Sequence, residues 1–220
     1  ARALSPGELG KALADKARGA GADIRRLEVR RLRPMDEGSW RIETAEDDLL
    51  ARRLVIAAGP WSTKLLEPLG IKLPLAHERG YHLECQNPGV VIKHSIMDLE
   101  RKFVTSAMAS GIRSAGTAEF ADLDDPPDFR RAEVLKELTS AMLPGIDTSA
   151  CSVWMGVRPS FPDSLPCIGR FPGHANLFAA FGHSHYGLGM APMTGEIVAG
   201  MLTERPPNID LAPYRTDRFS

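Results

Sequence analysis

The stretch Leu54–Ser62, LVIAAGPWS, decides how the rest of the chain is read. From Leu54 to Ala58 there is no polar residue and so no solvent face, the pattern of a strand covered on both sides in a parallel sheet under helices. Gly59 and Pro60 stop the strand. Small residues at the carboxyl end of a parallel strand let a ligand approach the backbone, which is where open sheets bind ligands. The same residues equally suit a tight strand exit made for packing alone. WSTKLLEPLG, which follows, reads as a short helix ended by Gly70.

Upstream, Trp40, Ile42 and Thr44 alternate as in an outer strand. Near the start, SPGELGKALADKARGAGADI has the marks of a capped helix: Ser5 at the N-cap, Pro6 at the first helical position and Glu8 three residues after the cap. Leu9, Leu13 and Ala17 form its apolar stripe, and Gly19 or Gly21 ends it. Downstream the texture changes. Short strand-like pieces (GYHLEC, GVVIKHSIMD, KFVTSAM, GIRSAGTAEF) alternate with Gly, Pro and charge, as in an antiparallel meander. PPDFRRAEVLKELTSAML reads as a helix over about 127–143, stopped by Pro144 and Gly145. SVWMGVRPSFPDSLPCIG and NLFAAFG then give strand and loop pieces. The expected fold is mixed α/β and α+β, with a discontinuous layer (1–70 and 160–220) around an antiparallel domain (71–159).

Composition narrows the function classes. Of the 220 residues 43% are hydrophobic and 25% charged, and the formal net charge is -1, which is ordinary for a globular chain and leaves no basic excess for nucleic acid. Arg25, Arg26, Arg30, Arg31 and Arg33 read as a solvated face. Cys85, Cys151 and Cys167 form no CxxC pair and are expected as reduced thiols of a cytoplasmic protein. No apolar run reaches the roughly 20 residues of a membrane span. The chain begins at Ala1, which suits a piece of a longer protein.

Two further stretches carry chemistry. In Phe181–Leu202, FGHSHYGLGMAPMTGEIVAGML, glycine and histidine give way to an apolar helix expected to begin near Ala191. Such a helix aims free N–H groups and its positive dipole end at the loop, suiting a phosphate, a carboxylate or the electron-rich edge of a reduced flavin. If the loop is extended, His183 and His185 point the same way and could share a metal; further ligands would come from His174, Asp163 or His94, none at a recognisable spacing. In WMGVRPSFPDSLPCIG, Arg158 rises from an apolar stretch and needs an anionic partner. A substrate carboxylate and Asp163 are both open.

Taken in order, LVIAAGPWSTKLLEPLGIKLPL, WMGVRPSFPDSLPCIG and FGHSHYGLGMAPMTGEIVAGML resemble the C-terminal part of the FAD-dependent D-amino-acid oxidase family. The glycine oxidase and bacterial D-amino-acid or D-hydroxyproline dehydrogenase branch is the most similar, and the final DLAPYRTDRFS matches how these chains finish. The resemblance implies a partial FAD-binding, Rossmann-like layer and an antiparallel substrate domain. It assigns Arg158 to the substrate carboxylate and places His185 where relatives carry a substrate-facing residue, often arginine; Tyr81 is a further candidate there. FAD would be met by Val29, Ala58, Gly59, Trp61, Gly156 and Gly182, and by the loop His183, Ser184, His185, Tyr186, Gly187, Leu188 and Gly189. The implied reaction passes a hydride from a small amino acid to the flavin. Loose membrane association would come through the electron acceptor.

One departure matters. The family opens with a GxGxxG turn, and none occurs here; GLGMAP has proline in place of the third glycine. The chain alone is therefore expected to bind FAD poorly or not at all, with the dinucleotide-binding segment supplied from elsewhere. The alternatives are a non-catalytic subunit completed by another polypeptide and a metal-dependent enzyme using His183 and His185.

Overall fold

A computed structural model describes residues 3–219. The elements are α1 (Pro6–Gly19), β1 (Val29–Pro34), β2 (Trp40–Thr44), β3 (Leu49–Ala51), β4 (Leu54–Ile56), α2 (Ser62–Leu66) and β5 (Ala76–Cys85). There follow β6 (Ile96–Asp98), β7 (Phe103–Met108), β8 (Gly111–Ala115), β9 (Glu119–Phe120) and α3 (Arg130–Met142). Last come β10 (Cys151–Ser160), β11 (Cys167–Arg170), β12 (Leu177–Phe181) and α4 (Gly187–Leu202). The chain divides into two compact units, and the long strands β5 and β10 pass from one to the other. An α/β unit holds Arg25–Glu78 and the chain from Arg158 onward; an antiparallel unit holds the chain up to Ile24 and Arg79–Val157.

In the α/β unit, β4 runs parallel to β12, which pairs antiparallel with β11. The parallel pairing follows the reading of LVIAAG, but only Ile56 of the three β4 residues is buried. The sheet order β11-β12-β4 puts β4 at one end, so Leu54 and Val55 keep partial access to solvent. Antiparallel β1, β2 and β3 form a second sheet, with Trp40 and Thr44 on the covered face as their alternation predicts. Trp40 donates its indole N–H to the carbonyl of Ala175 at 3.0 Å, so its ring is buried without an orphaned donor. Leu32, Trp40, Ile56, Leu66, Phe161 and Phe181 belong to one core cluster. Ile197 and Val198 of α4 pack with Ile168 of β11 in another.

The antiparallel unit takes most of its sheet from β5, β8, β7 and β6, joined in that order, with β9 against β5. Of GVVIKHSIMD only the last three residues are strand. Helix α3 buries Ala132, Leu135 and Thr139, one face at helical spacing. Thr139 closes a buried hydroxyl chain through Ser114 to Thr105, at 2.7 and 2.8 Å. Two expectations need correction here. Cys85 and Cys151 form a disulfide rather than remaining thiols, leaving only buried Cys167 free among the cysteines. Their separation of 66 residues hid the pairing, which depends on β5 and β10 being neighbours in the sheet. And α1, expected in the outer layer with residues 25–70, falls in the antiparallel unit, tied by the Ala109 N–H to the Leu4 carbonyl at 2.9 Å. Its Ser5 cap accepts from the Glu8 N–H as anticipated, yet it buries no residue and Leu9 and Leu13 stay exposed.

Candidate functional site

The site is built in the α/β unit, around the turn between β12 and α4. Gly182 ends β12 with φ of 85°, and a Cβ there would lie 2.2 Å from the Phe161 ring, so this glycine is required by packing. A 3-10 turn over Ser184–Tyr186 follows, entered by Ser184 at φ of 48°, an uncommon conformation for a residue with a side chain. That turn separates the two imidazoles. His183 Nε2 lies 3.0 Å from Thr194 Oγ1 on α4, and burial pushes the His183 pKa below its ordinary value. His185 faces Glu78 through Nε2 at 3.1 Å and Ser184 Oγ through Nδ1 at 2.9 Å. The two rings thus have separate partners, because the loop is not extended as the metal reading assumed. Among the described residues no three His, Cys, Asp or Glu side chains are grouped to hold a metal ion.

Helix α4 starts at Gly187, four residues before the expected Ala191, so Gly187 and Gly189 form its first turn. Glycine disfavours helix and Pro192 interrupts the ladder, but the buried face carrying Thr194, Ile197 and Val198 outweighs these local costs of roughly 1 kcal/mol per glycine. The N-terminus has no side-chain cap and no acidic residue in its first turn, leaving N–H groups and the positive dipole end available. Beyond its chain neighbours and its own helix backbone, no atom of the described residues lies within 4 Å of where a Cβ would sit on Gly189. Gly59, at φ of 54° beyond the end of β4, is equally open. Trp61 and Tyr186 beside these glycines are exposed. Ala58 begins the Gly59 turn, and Val29 lies opposite Thr44 at the start of β1.

Arg158 does not pair with Asp163, the protein side chain named for it from the sequence. Asp163 is taken by Arg218, which donates Nε to Oδ2 at 2.7 Å and Nη2 to the Leu165 carbonyl at 2.7 Å. Arg158 instead donates Nη1 to Glu78 Oε1 at 2.9 Å. Ser160 Oγ lies 3.3 Å from Glu78 Oε2 and 2.9 Å from Ser184 Oγ. A carboxylate, a guanidinium, an imidazole and two hydroxyls therefore converge. The Glu78 side chain is 8% exposed, against 21% for Arg158 and 51% for His185. Sequence reading missed Glu78: it lies 80 residues from Arg158 and just ahead of the strand-like piece GYHLEC, and only the structure extends that strand back to Ala76.

Tyr81 and Gly156 belong to the antiparallel unit. Tyr81 is wholly buried, donating to Glu119 Oε2 at 2.6 Å and accepting from the Asp128 N–H at 2.9 Å. Burial and then the Glu119 carboxylate push its hydroxyl above the ordinary phenolic range. Gly156 makes room for the Trp154 ring, which a Cβ would meet at 2.4 Å.

Comparison with known proteins agrees with this architecture. Residues 1–201 match the model of the DAO family, FAD dependent oxidoreductase, and the chain belongs to that family. It is 37% identical over 222 residues to a D-amino-acid oxidase of Bradyrhizobium diazoefficiens, covering 99% of this chain and 53% of the relative. A D-amino acid dehydrogenase of Paramagnetospirillum magneticum is 34% identical over 81% of this chain and 43% of its own length. The chain thus spans about half the length of the curated relatives it matches. Among solved structures, glycine oxidase from Geobacillus kaustophilus superposes with a TM-score of 0.84 at 24% identity, over 96% of this chain and 57% of that one. L-proline dehydrogenase from P. horikoshii gives 0.83 at 21%, over 96% and 59%. These likenesses establish the fold, a DAO-type arrangement of helices and antiparallel sheets. No described helix is long and apolar enough to cross a membrane.

Family members use FAD, and the residues present fit part of that group. The open space at Gly59 and Gly189, the uncapped start of α4 and the exposed Trp61 and Tyr186 suit a flat, electron-rich ring system.

Proposed function

We propose that this chain is the substrate-binding C-terminal portion of an enzyme that oxidises a small amino acid, a D-amino acid, glycine or a proline-like imino acid. The observation that carries the reading is Arg158, a guanidinium about one-fifth exposed, whose Nη1 is held by Glu78 in the same unit as the uncapped start of α4. A guanidinium held at one nitrogen keeps an edge on which a substrate carboxylate can make the two-pronged contact that fixes orientation. Fixed orientation is the protein's main contribution to such a reaction, because the cofactor carries the redox chemistry. Bound FAD supplies the acceptor for the hydride leaving the substrate's alpha carbon. The resulting imine would be hydrolysed to a 2-oxo acid and ammonia, or, from a proline-like substrate, would be released as a cyclic imine. Gly59, Trp61 and the residues from His183 to Gly189 would hold the cofactor, with the α4 N-terminus favouring negative charge beside it. The D-amino-acid oxidase and dehydrogenase relatives support the substrate class. Tyr81 is left out of the substrate contacts, because its hydroxyl is engaged on both sides.

Arg158→Ala in the complete protein tests the reading. Catalytic efficiency with amino acids should fall by on the order of 100-fold, as expected when a charge-assisted contact to substrate is lost, while flavin content stays the same. Efficiency within twofold of wild type would overturn the role of Arg158.

A further inference from the structure

Glu78 holds the end of the cluster remote from solvent. One of its oxygens accepts from Arg158 Nη1 at 2.9 Å and lies 3.1 Å from His185 Nε2, and the other faces Ser160 Oγ. Packing alone does not demand a carboxylate there: Arg158 is partly exposed and His185 half exposed, so solvent could satisfy both. What the carboxylate adds is a fixed negative charge directly behind the guanidinium. Without it, Arg158 would present an uncompensated positive charge and favour any anion, a doubly charged one most of all. With it, the Arg158–Glu78 pair is neutral and polarised, with its cationic end toward solvent at Arg158 and its anionic end buried at Glu78. That arrangement mirrors a zwitterion.

We infer that Glu78 is a specificity-determining residue, selecting amino acids that carry a single carboxylate and discriminating against dicarboxylic ones. The inference rests on the proposal that Arg158 binds the substrate carboxylate. An amino acid whose carboxylate lies on the outer edge of Arg158 places its ammonium in the field of Glu78, a favourable pairing. A second carboxylate on the substrate meets the same field as repulsion. Charges roughly 6–8 Å apart near a protein surface, after partial screening by solvent, give a discrimination on the order of tenfold.

The test measures kcat/KM for a neutral and a dicarboxylic amino acid of similar length in the complete flavoprotein, for wild type, Glu78→Gln and Glu78→Asp. Glutamine keeps the shape and a hydrogen-bond acceptor but removes the charge. The ratio of neutral to dicarboxylic efficiency should fall about tenfold in Glu78→Gln and return most of the way in Glu78→Asp. A purely structural Glu78 would instead lower both efficiencies together and leave the ratio unchanged, which would overturn the assignment. If Glu78→Gln does not fold, inhibition of the wild type by paired mono- and dicarboxylates decides: the monocarboxylate should bind about tenfold more tightly, and equal or reversed affinities would overturn the inference. A silent Arg158→Ala removes the underlying reading and the Glu78 assignment with it. A strongly impaired Arg158→Ala beside an unchanged ratio in Glu78→Gln overturns the Glu78 assignment alone.

Discussion

In the antiparallel unit Arg79 is wholly buried, and its guanidinium donates to the backbone carbonyls of Pro126, Asp122 and Asp125. In the α/β unit Arg158 keeps about one-fifth of its side chain exposed and gives Nη1 to one carboxylate. The same side chain is thus used in two ways. Arg79 ties three carbonyls of one loop to a single buried side chain, and Glu119 at 3.9 Å supplies the counter-charge. Arg158 is held on one side and open on the other, which is how a binding group differs from a structural one. Tyr81 and His185 repeat the contrast: the first is engaged and buried, the second is oriented by Glu78 yet half exposed.

The largest effect that could break this comparison is on Arg79. Arg79→Ala should cost about 4 kcal/mol, because it empties the volume of a wholly buried side chain and removes the counter-charge 3.9 Å from Glu119. Arg79→Lys should recover little, since an ammonium lacks the fork that reaches separate carbonyls. Urea unfolding gives the size, and hydrogen exchange, which resolves regions of different stability, should place the loss in the antiparallel unit. A loss below about 1 kcal/mol would put Arg79 in the same class as Arg158.

Next in size is the disulfide. Cys85 and Cys151 lie in the apolar cluster of Leu83, Phe103 and Leu135, and they close a loop across 66 residues. Reduction should lower stability by about 3 kcal/mol, chiefly by releasing the unfolded chain. Exchange protection should fall in the antiparallel unit and stay unchanged on β12 and α4. No response to reductant would mean that the two sulfurs do not pair in solution.

Much of this was legible in the sequence where the signal is local. Ser5 caps α1, Gly70 takes φ of 80° to end the turn after α2, and LVI runs parallel to β12. The start of α4 was misplaced because two glycines and a proline argue against helix locally, while the opposing apolar face lies further along the same helix. The disulfide and the Glu78–Arg158 pair were out of reach for another reason. Each joins residues more than 60 positions apart, and no spacing rule connects residues that only the sheet order brings together. Arg158 itself was legible, since a charge in an apolar strand demands a partner; which partner was not.

The smallest effect sharpens the comparison through pH. Burial holds the His183 pKa below its ordinary 6.5, so between that value and the depressed one the unfolded chain takes up a proton that the folded chain refuses. Stability from His183 is therefore complete above about pH 6.5 and declines as pH falls through that window. Asp163 acts lower on the scale. Its hydrogen bond with Arg218 holds the carboxyl below its ordinary 3.8, so this stabilisation is present above that value and lost as pH falls beneath it. The α/β unit should consequently weaken in two steps on acidification. His183→Gln, which can still bond Thr194, should abolish the upper step and keep the lower; Arg218→Ala should do the reverse. Exchange protection on α4, followed from pH 7 down to 3, reads both. An upper step that survives in His183→Gln would mean that burial of the His183 imidazole is not its source.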